Sequence, residues 1–368
     1  MKLIFAGGGT AGHITPAIAI ADYFKSNDKN TEILFIGREN GAENKIISNK
    51  NYKIKHICID GLSRKISIKA FNEIKKALKA KHAAKEIIRE FKPDAVMGTG
   101  GYVAWPVIRA AQELRIPTFI HESNTTPGLA TRLLSKKCKC VFVNRMATAK
   151  YLSKKASVME VGVPCIEAKG KPSRNDARKA LGLRDGDIFI LSFGGSGGSN
   201  AMNTAVIKLM EEVLLKNSCI RHLHATGVSY YDRLSHVHPK LTQESSRCKL
   251  TPFINGMENI MPAADIVISR AGALTLAELS LHGIAAILIP SPNVTDNHQY
   301  KNALEYSKIG AAILIDEKEL TADSLKNAVN GLINSRARRK SLSTEIKKLH
   351  TKGSCEQIYK CITSSIKE

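Results

Sequence analysis

Two glycine-rich turns in this sequence have the residue types of anion-binding chemistry, and a third strand–glycine–helix turn carries a carboxylate. In Gly7-Gly8-Gly9-Thr10-Ala11-Gly12-His13 the glycines let the backbone approach a ligand and take positive φ, and a helix expected from about Pro16 aims its positive end at the turn. The segment's glycines are not followed by the right acidic residue for a nicotinamide cofactor, and the segment lacks the GK[ST] ending of a P-loop. His13 stands at the mouth of the turn rather than on an apolar helix face, which makes it the candidate general base. The alternative is a histidine that only hydrogen-bonds the loop or a phosphate. Gly194-Gly195-Ser196-Gly197-Gly198-Ser199 offers a second cradle, with Ser196 as hydroxyl donor and a helix starting near Ser199. Two such cradles suit a diphosphate donor and a diphosphate-bearing acceptor. In Arg270-Ala271-Gly272-Ala273-Leu274-Thr275-Leu276-Ala277-Glu278 a carboxylate sits one turn into a helix, where it either accepts bonds from sugar hydroxyls or only complements the helix dipole. Turns of this kind also serve plain helix–strand packing.

The elements that must hold these turns alternate along the chain. Apolar runs at 2–7, 32–37, 52–59, 94–98, 118–122 and 141–144 are separated by amphipathic segments, and this βαβ rhythm predicts a parallel sheet. After Val161-Gly162-Val163-Pro164 and a polar stretch the rhythm restarts, with strands expected at 188–193, 221–225, 249–253, 265–269, 285–290 and 311–315. Both halves open on a strand that ends in a glycine turn before a helix. The expected fold is therefore α/β, with two Rossmann-like parallel-sheet domains facing across a cleft, and ligands at the carboxyl ends of the strands. The boundaries expected are 1–164 and 165–344, with a C-terminal helix at about 345–368 able to pack back on the first domain.

Composition narrows the class. A chain of 368 residues with 43% hydrophobic and 24% charged content is a folded protein of two ordinary domains, not a disordered or fibrous one. Its longest apolar stretches, such as Ala285 to Pro290, fall far short of the ~20 residues a spanning helix needs. The glycine run ends the apolar start of the chain too early for a secretory signal, so a cytoplasmic location is expected. Eight cysteines without zinc-type spacing read as reduced core thiols. Cys138 and Cys140 are expected to share one strand face. The formal charge of +22 implies attraction to something anionic, or else a general compositional bias.

Taken together, Gly8 to His13, Gly100-Gly101-Tyr102-Val103, His121-Glu122-Ser123-Asn124, Gly194-Gly195-Ser196, Phe253-Ile254, Arg270 to Thr275 with Glu278, and Asp296 to Ala303 occur in an order that closely resembles the MurG family of peptidoglycan glycosyltransferases. The resemblance runs over most of the chain and implies the two-domain GT-B fold. It implies an inverting transferase that moves N-acetylglucosamine from UDP-N-acetylglucosamine to the 4-hydroxyl of an undecaprenyl-linked muramyl-pentapeptide. On that resemblance the donor is met by Thr10, Ala11, Gly12, Asn124, Ser196, Phe253, Ile254, Met257, Ala273, Leu274, Thr275, Leu276, Ala277, Glu278 and Gln299. Within that set, Phe253, Ile254 and Met257 bound the uracil, Glu278 the ribose and Ser196 the diphosphate. The acceptor side is Gly9, Gly101, Tyr102, His121 and Glu122. No metal and no cofactor is expected. The chain departs from the family where Val163-Pro164-Cys165-Ile166 replaces a segment that usually carries asparagine and arginine, so a donor-site cation is missing. Ala11 and Gly197 replace a usual glycine and glutamine, and His298 stands where a second glutamine is common.

From Gly61 to Lys92 a run of lysines and arginines is interleaved with isoleucines, leucine and phenylalanine. Such a helix can lie on anionic lipid at the cytoplasmic face of the membrane, or it can be an ordinary surface helix packed on the sheet. Trp105 is either an interfacial anchor or a core residue. Nucleic-acid binding is not expected, because no base-stacking aromatic surface accompanies the charge. Cell-wall synthesis proteins are conceivable partners. Two other readings stay open: a related transferase with a different acceptor, and a catalytically silent paralogue that binds nucleotide or membrane.

Overall fold

Each β–α–β crossover brings the next strand in parallel, and strands covered by helices on both faces must be apolar throughout. The computed structural model describes residues 1–9, 11–39, 41, 43–59, 68–165, 172–195 and 197–367, with backbone alone at 11, 43, 45, 68–72 and 367. It divides into two units, 1–167 with 351–368, and 168–350.

The first unit runs β1 (Lys2–Gly7), α1 (Ala11–Asn27), β2 (Glu32–Arg38), α2 (Glu43–Ser48), β3 (Lys53–Ile57) and α3 (Ile68–Phe91). It continues through β4 (Ala95–Gly100), α4 (Ala104–Glu113), β5 (Thr118–Glu122), α5 (Leu129–Leu134), β6 (Cys140–Val143) and β7 (Val158–Glu160). The strand order is β3-β2-β1-β4-β5-β6-β7, parallel throughout. One sheet face packs Ile4, Leu34, Val96 and Val141 against Ala80, Ile88 and Val107 of α3 and α4. The other packs Phe5, Phe35, Phe119 and Phe142 against Ile14 and Phe24 of α1. Each such aromatic contributes roughly 1.5–3 kcal/mol through burial. Cys140 lies with Phe142 on the second face, whereas Cys138 packs with Val141 and Val143 on the first. The expectation of a shared face is therefore corrected: Cys138 caps the 3-10 turn at 135–137, so strand alternation does not extend back to it.

The second unit runs α6 (Arg174–Ala180), β8 (Ile188–Phe193), α7 (Asn200–Glu212), β9 (Ile220–Ala225), α8 (Val228–Val237), β10 (Cys248–Thr251) and α9 (Met257–Ile260). Then follow β11 (Ile266–Ser269), α10 (Ala273–His282), β12 (Ala285–Leu288), α11 (His298–Lys308), β13 (Ala312–Leu314), α12 (Ala322–Ile333) and α13 (Arg336–Lys348). Its order, β10-β9-β8-β11-β12-β13, repeats the first six positions of the other sheet. The final helix, α14 (Ser354–Lys367), returns to the first unit and sets Ile358 and Ile362 into the core beside α1.

Both sheets reverse strand order at one place, between β1 and β4 and between β8 and β11. Loops leaving these strand pairs diverge to opposite faces, opening a crevice at their carboxyl ends. Every glycine turn picked out by sequence follows one of those four strands.

Candidate functional site

In the second unit a cavity of about 650 Å³ opens at the β8/β11 reversal, lined by Gly194, Gly195, Gly198, Ser199, Asn200, Arg270, Gly272, Thr275, Ser291, Gln299 and Glu317 among others. Three helices begin on its wall: α7 at Asn200, α10 just after Gly272, and α11 with Gln299 in its first turn. Helix starts present unsatisfied N–H groups and about half a positive charge each, so their convergence suits the cavity to an anion. Ser199 caps α7, its Oγ accepting from Met202 N at 3.3 Å. Gly198 has φ +73°, and a Cβ there would stand 2.1 Å from the Thr226 carbonyl oxygen, so the turn closes only around glycine. Gln299 Oε1 accepts from Ser291 N at 2.9 Å, which ties the start of α11 to the loop after β12.

In the first unit the crevice is built by two glycine loops in contact. A Cβ on Gly101, at φ +77°, would lie 2.0 Å from the Gly8 carbonyl oxygen. The imidazole of His13 fills the space beside Gly100, where a Cβ would fall 2.4 Å from Nδ1. His13 Nδ1 is 3.1 Å from the Thr99 carbonyl, which can only accept, so Nδ1 carries a proton and, in the neutral ring, Nε2 is the nitrogen that can act as base. The β1–β4 register shifts here, pairing Ala6 with Gly98 but Gly7 with Gly100, and this irregularity brings Thr99 to the histidine.

His121 and Glu122 end β5 and are buried. His121 Nε2 donates to the Gly162 carbonyl at 2.8 Å, and burial holds its pKa down at about 4, so the ring is neutral. The Glu122 carboxylate accepts from Asn124 N at 3.1 Å, Asn124 Nδ2 at 3.3 Å, Gly128 N at 3.1 Å and Thr131 Oγ1 at 2.9 Å. These two side chains therefore shape the 123–128 loop from beneath, while Tyr102 presents its ring to solvent at 52% exposure.

Of the donor-side residues expected from sequence, Thr275 and Gln299 line the cavity directly. Ala273, Leu274, Ala277 and Glu278 lie half-buried on α10, and Leu276 is in the core, where it can offer a ligand only its backbone. Phe253 and Ile254 lie on the β10–α9 connection, Phe253 exposed and Ile254 buried, and Met257 opens α9. Gly9 and Gly101 lie on the first unit's loops, whereas Gly12 lies in the first turn of α1, which starts at Ala11 and not near Pro16 as expected; Asn124 follows β5. Thr10 and Ser196 lie outside the described residues, as does the side chain of Ala11. Sequence reasoning did not assign Asn200, Ser291, Glu317 or a role for Arg270. Asn200 and Ser291 were reachable by the rule that residues just past strand ends line the crevice; Glu317 carried no local signal.

Of the basic segment, 60–67 and the side chains of 68–72 lie outside the described residues. Beyond them α3 buries Ala77, Ala80, Ala84 and Ile88 and exposes Ile74 and Leu78, while Trp105 is partly buried against the core. Among the described residues no helix is long and apolar enough to cross a membrane.

Residues 3–143 match the glycosyltransferase family 28 N-terminal domain, and residues 189–358 match the glycosyltransferase family 28 C-terminal domain. A UDP-N-acetylglucosamine--N-acetylmuramyl-(pentapeptide) pyrophosphoryl-undecaprenol N-acetylglucosamine transferase from Thermoanaerobacter sp. (strain X514) is 38% identical, covering 99% of this chain and 100% of the relative. The enzyme of the same name from Acetivibrio thermocellus is also 38% identical, over 100% of this chain and 99% of its own. The crystal structure of Acinetobacter baumannii MurG is similar with a TM-score of 0.74 at 26% identity, covering 99% of both chains.

Proposed function

The chain belongs to glycosyltransferase family 28, and from that premise we propose that it transfers N-acetylglucosamine from UDP-N-acetylglucosamine to N-acetylmuramyl-(pentapeptide) pyrophosphoryl-undecaprenol in peptidoglycan synthesis. The observation that carries this reading is identity of 38% running over 99% of the chain, because it spans both glycine-turn crevices and not one shared domain.

The donor's diphosphate seats at the starts of α7 and α10, where backbone N–H groups meet the charge that grows on uridine diphosphate as it leaves. No divalent metal is needed on this reading. Phe253, Ile254 and Met257 flank the uracil, Glu278 takes the ribose hydroxyls, and Ala273, Leu274, Thr275 and Gln299 read the sugar. His13, with its lone pair on Nε2, takes the proton of the acceptor's 4-hydroxyl as that oxygen attacks the anomeric carbon. The bond from that carbon to the diphosphate oxygen breaks on the opposite side, and the configuration inverts. Exposed Ile74 and Leu78 among Lys75, Lys76 and Lys79 support docking on anionic lipid at the cytoplasmic face. Each cation near such a surface adds about 1 kcal/mol at most.

The test is release of uridine diphosphate from UDP-N-acetylglucosamine, with and without a soluble analogue of the lipid acceptor, in chelator, for the native chain, His13→Ala and Glu278→Ala. Acceptor-dependent release that survives chelation and drops in both variants is the expected result. Uridine diphosphate binding without any turnover identifies instead a silent paralogue, the reading that the missing arginine near Pro164 favours.

A further inference from the structure

The donor cavity contains a cation, Arg270, that is bonded to several separate segments of its wall. Arg270, just past β11, points its guanidinium along the cavity wall. Its Nη1 donates to the carbonyls of Ile289 and Pro290, each at 3.1 Å. Its Nη2 donates to Ser199 Oγ at 2.7 Å and contacts the Glu317 carboxylate. Arg270 and Glu317 side chains are only 12% and 18% exposed. One planar fork thus joins the cap of α7, the end of β12 that leads to Ser291, and the segment after β13, and Ser199, Ser291 and Glu317 all line the cavity.

We propose that Arg270 is a positioning residue for donor binding: with Glu317 as its counter-charge, it holds Ser199 and the 289–290 backbone in the arrangement that seats the diphosphate at the start of α7. The proposal rests on the donor-site reading given above. Two features make it specific. A lysine keeps the charge but lacks the five donors in fixed geometry that span three segments. The pair is also net neutral, so the field at the diphosphate comes from the helix ends, and removing the Glu317 charge uncovers a cation at the cavity wall. Geometry and charge therefore pull in opposite directions in the two variants.

The experiment is titration calorimetry of the full chain with uridine diphosphate and with uridine, for native protein, Arg270→Lys and Glu317→Gln, with donor KM and kcat measured alongside. Arg270→Lys is expected to weaken uridine diphosphate about tenfold, the worth of one or two charge-assisted bonds, with uridine affinity unchanged and the loss in KM more than in kcat. Glu317→Gln is expected to tighten uridine diphosphate about threefold, with steeper salt dependence. A gain of affinity cannot come from misfolding. Native-like binding of uridine diphosphate by Arg270→Lys overturns the proposal and leaves the donor site standing, as does parallel loss of uridine and uridine diphosphate. Weaker binding by Glu317→Gln removes the counter-charge role. If the native chain binds no uridine diphosphate, the donor-site reading falls and the proposal with it.

Discussion

Acidification should unfold the second unit through two histidines that never meet water. His222 and His224 lie on β9, 1% and 0% exposed. Ser192 Oγ is 2.7 Å from His222 Nε2 and 2.7 Å from His224 Nδ1, and His224 Nε2 is 3.0 Å from Asn203 Oδ1. Asn203 Nδ2 donates to the Thr226 carbonyl at 3.0 Å, so its Oδ1 faces the ring and His224 must carry its proton on Nε2. Ser192 then donates to His224 Nδ1 and accepts from His222 Nε2–H, an order that leaves both rings neutral. Burial drives both pKa values down, His224 to about 4 and His222 well below its usual value, with the neighbouring ring of His224 adding to the second shift. The sign follows from linkage. An unfolded histidine takes up its proton near pH 6.5 and the folded one only near 4, so the stabilisation is complete above about 6.5 and is lost as pH falls toward 4. For His224 alone the full loss is about 3 kcal/mol, and about 2 kcal/mol of it is gone by about pH 5.

Urea unfolding followed by circular dichroism at several pH values between about 7.5 and 5 measures this, comparing native protein with His224→Gln. The glutamine can still donate to Asn203 and accept from Ser192 but cannot titrate. The native slope should exceed that of the variant by about 1 kcal/mol per pH unit below pH 6, because carboxylates titrate alike in both. Parallel slopes, or a folded-state His224 that titrates near 6.5 by NMR, would refute the reasoning.

Gly198→Ala, which drives a Cβ into the Thr226 carbonyl at positive φ, should cost about 2 kcal/mol or more in urea unfolding; a native-like midpoint would mean the turn relaxes freely. Glu122→Gln leaves at least one of four donors unserved beneath the 123–128 loop, and roughly 1–3 kcal/mol should disappear from the first unit's stability, an expectation that unchanged thermal melting contradicts. His13→Gln is expected to cut kcat about 100-fold or more while uridine diphosphate affinity stays put. Loss of nucleotide affinity in that variant would assign His13 to donor binding instead.

Sequence alone determined the layered architecture, because burying both faces of a parallel sheet demands unbroken apolar runs, and such runs are visible without coordinates. The runs at 2–7, 118–122 and 188–193 became strands without adjustment. What escaped was β7, three residues on the sheet edge with only partial burial, too short and too mixed to show a period. The glycine turns were legible for a related reason: only glycine tolerates Gly8 against Gly101 or Gly198 against Thr226, so residue type records the contact. Tertiary structure decided everything that depends on residues remote in sequence. Arg270 meets Ser199 across 71 positions, His13 gains its tautomer from Thr99 across 86, and Ser192 bridges two rings some 30 residues on. An arginine, serine or histidine has the same local appearance on a solvated surface as in a buried network. Its proton, charge and orientation are set by the partners that folding brings within 3 Å, and those partners leave no mark in the neighbouring sequence.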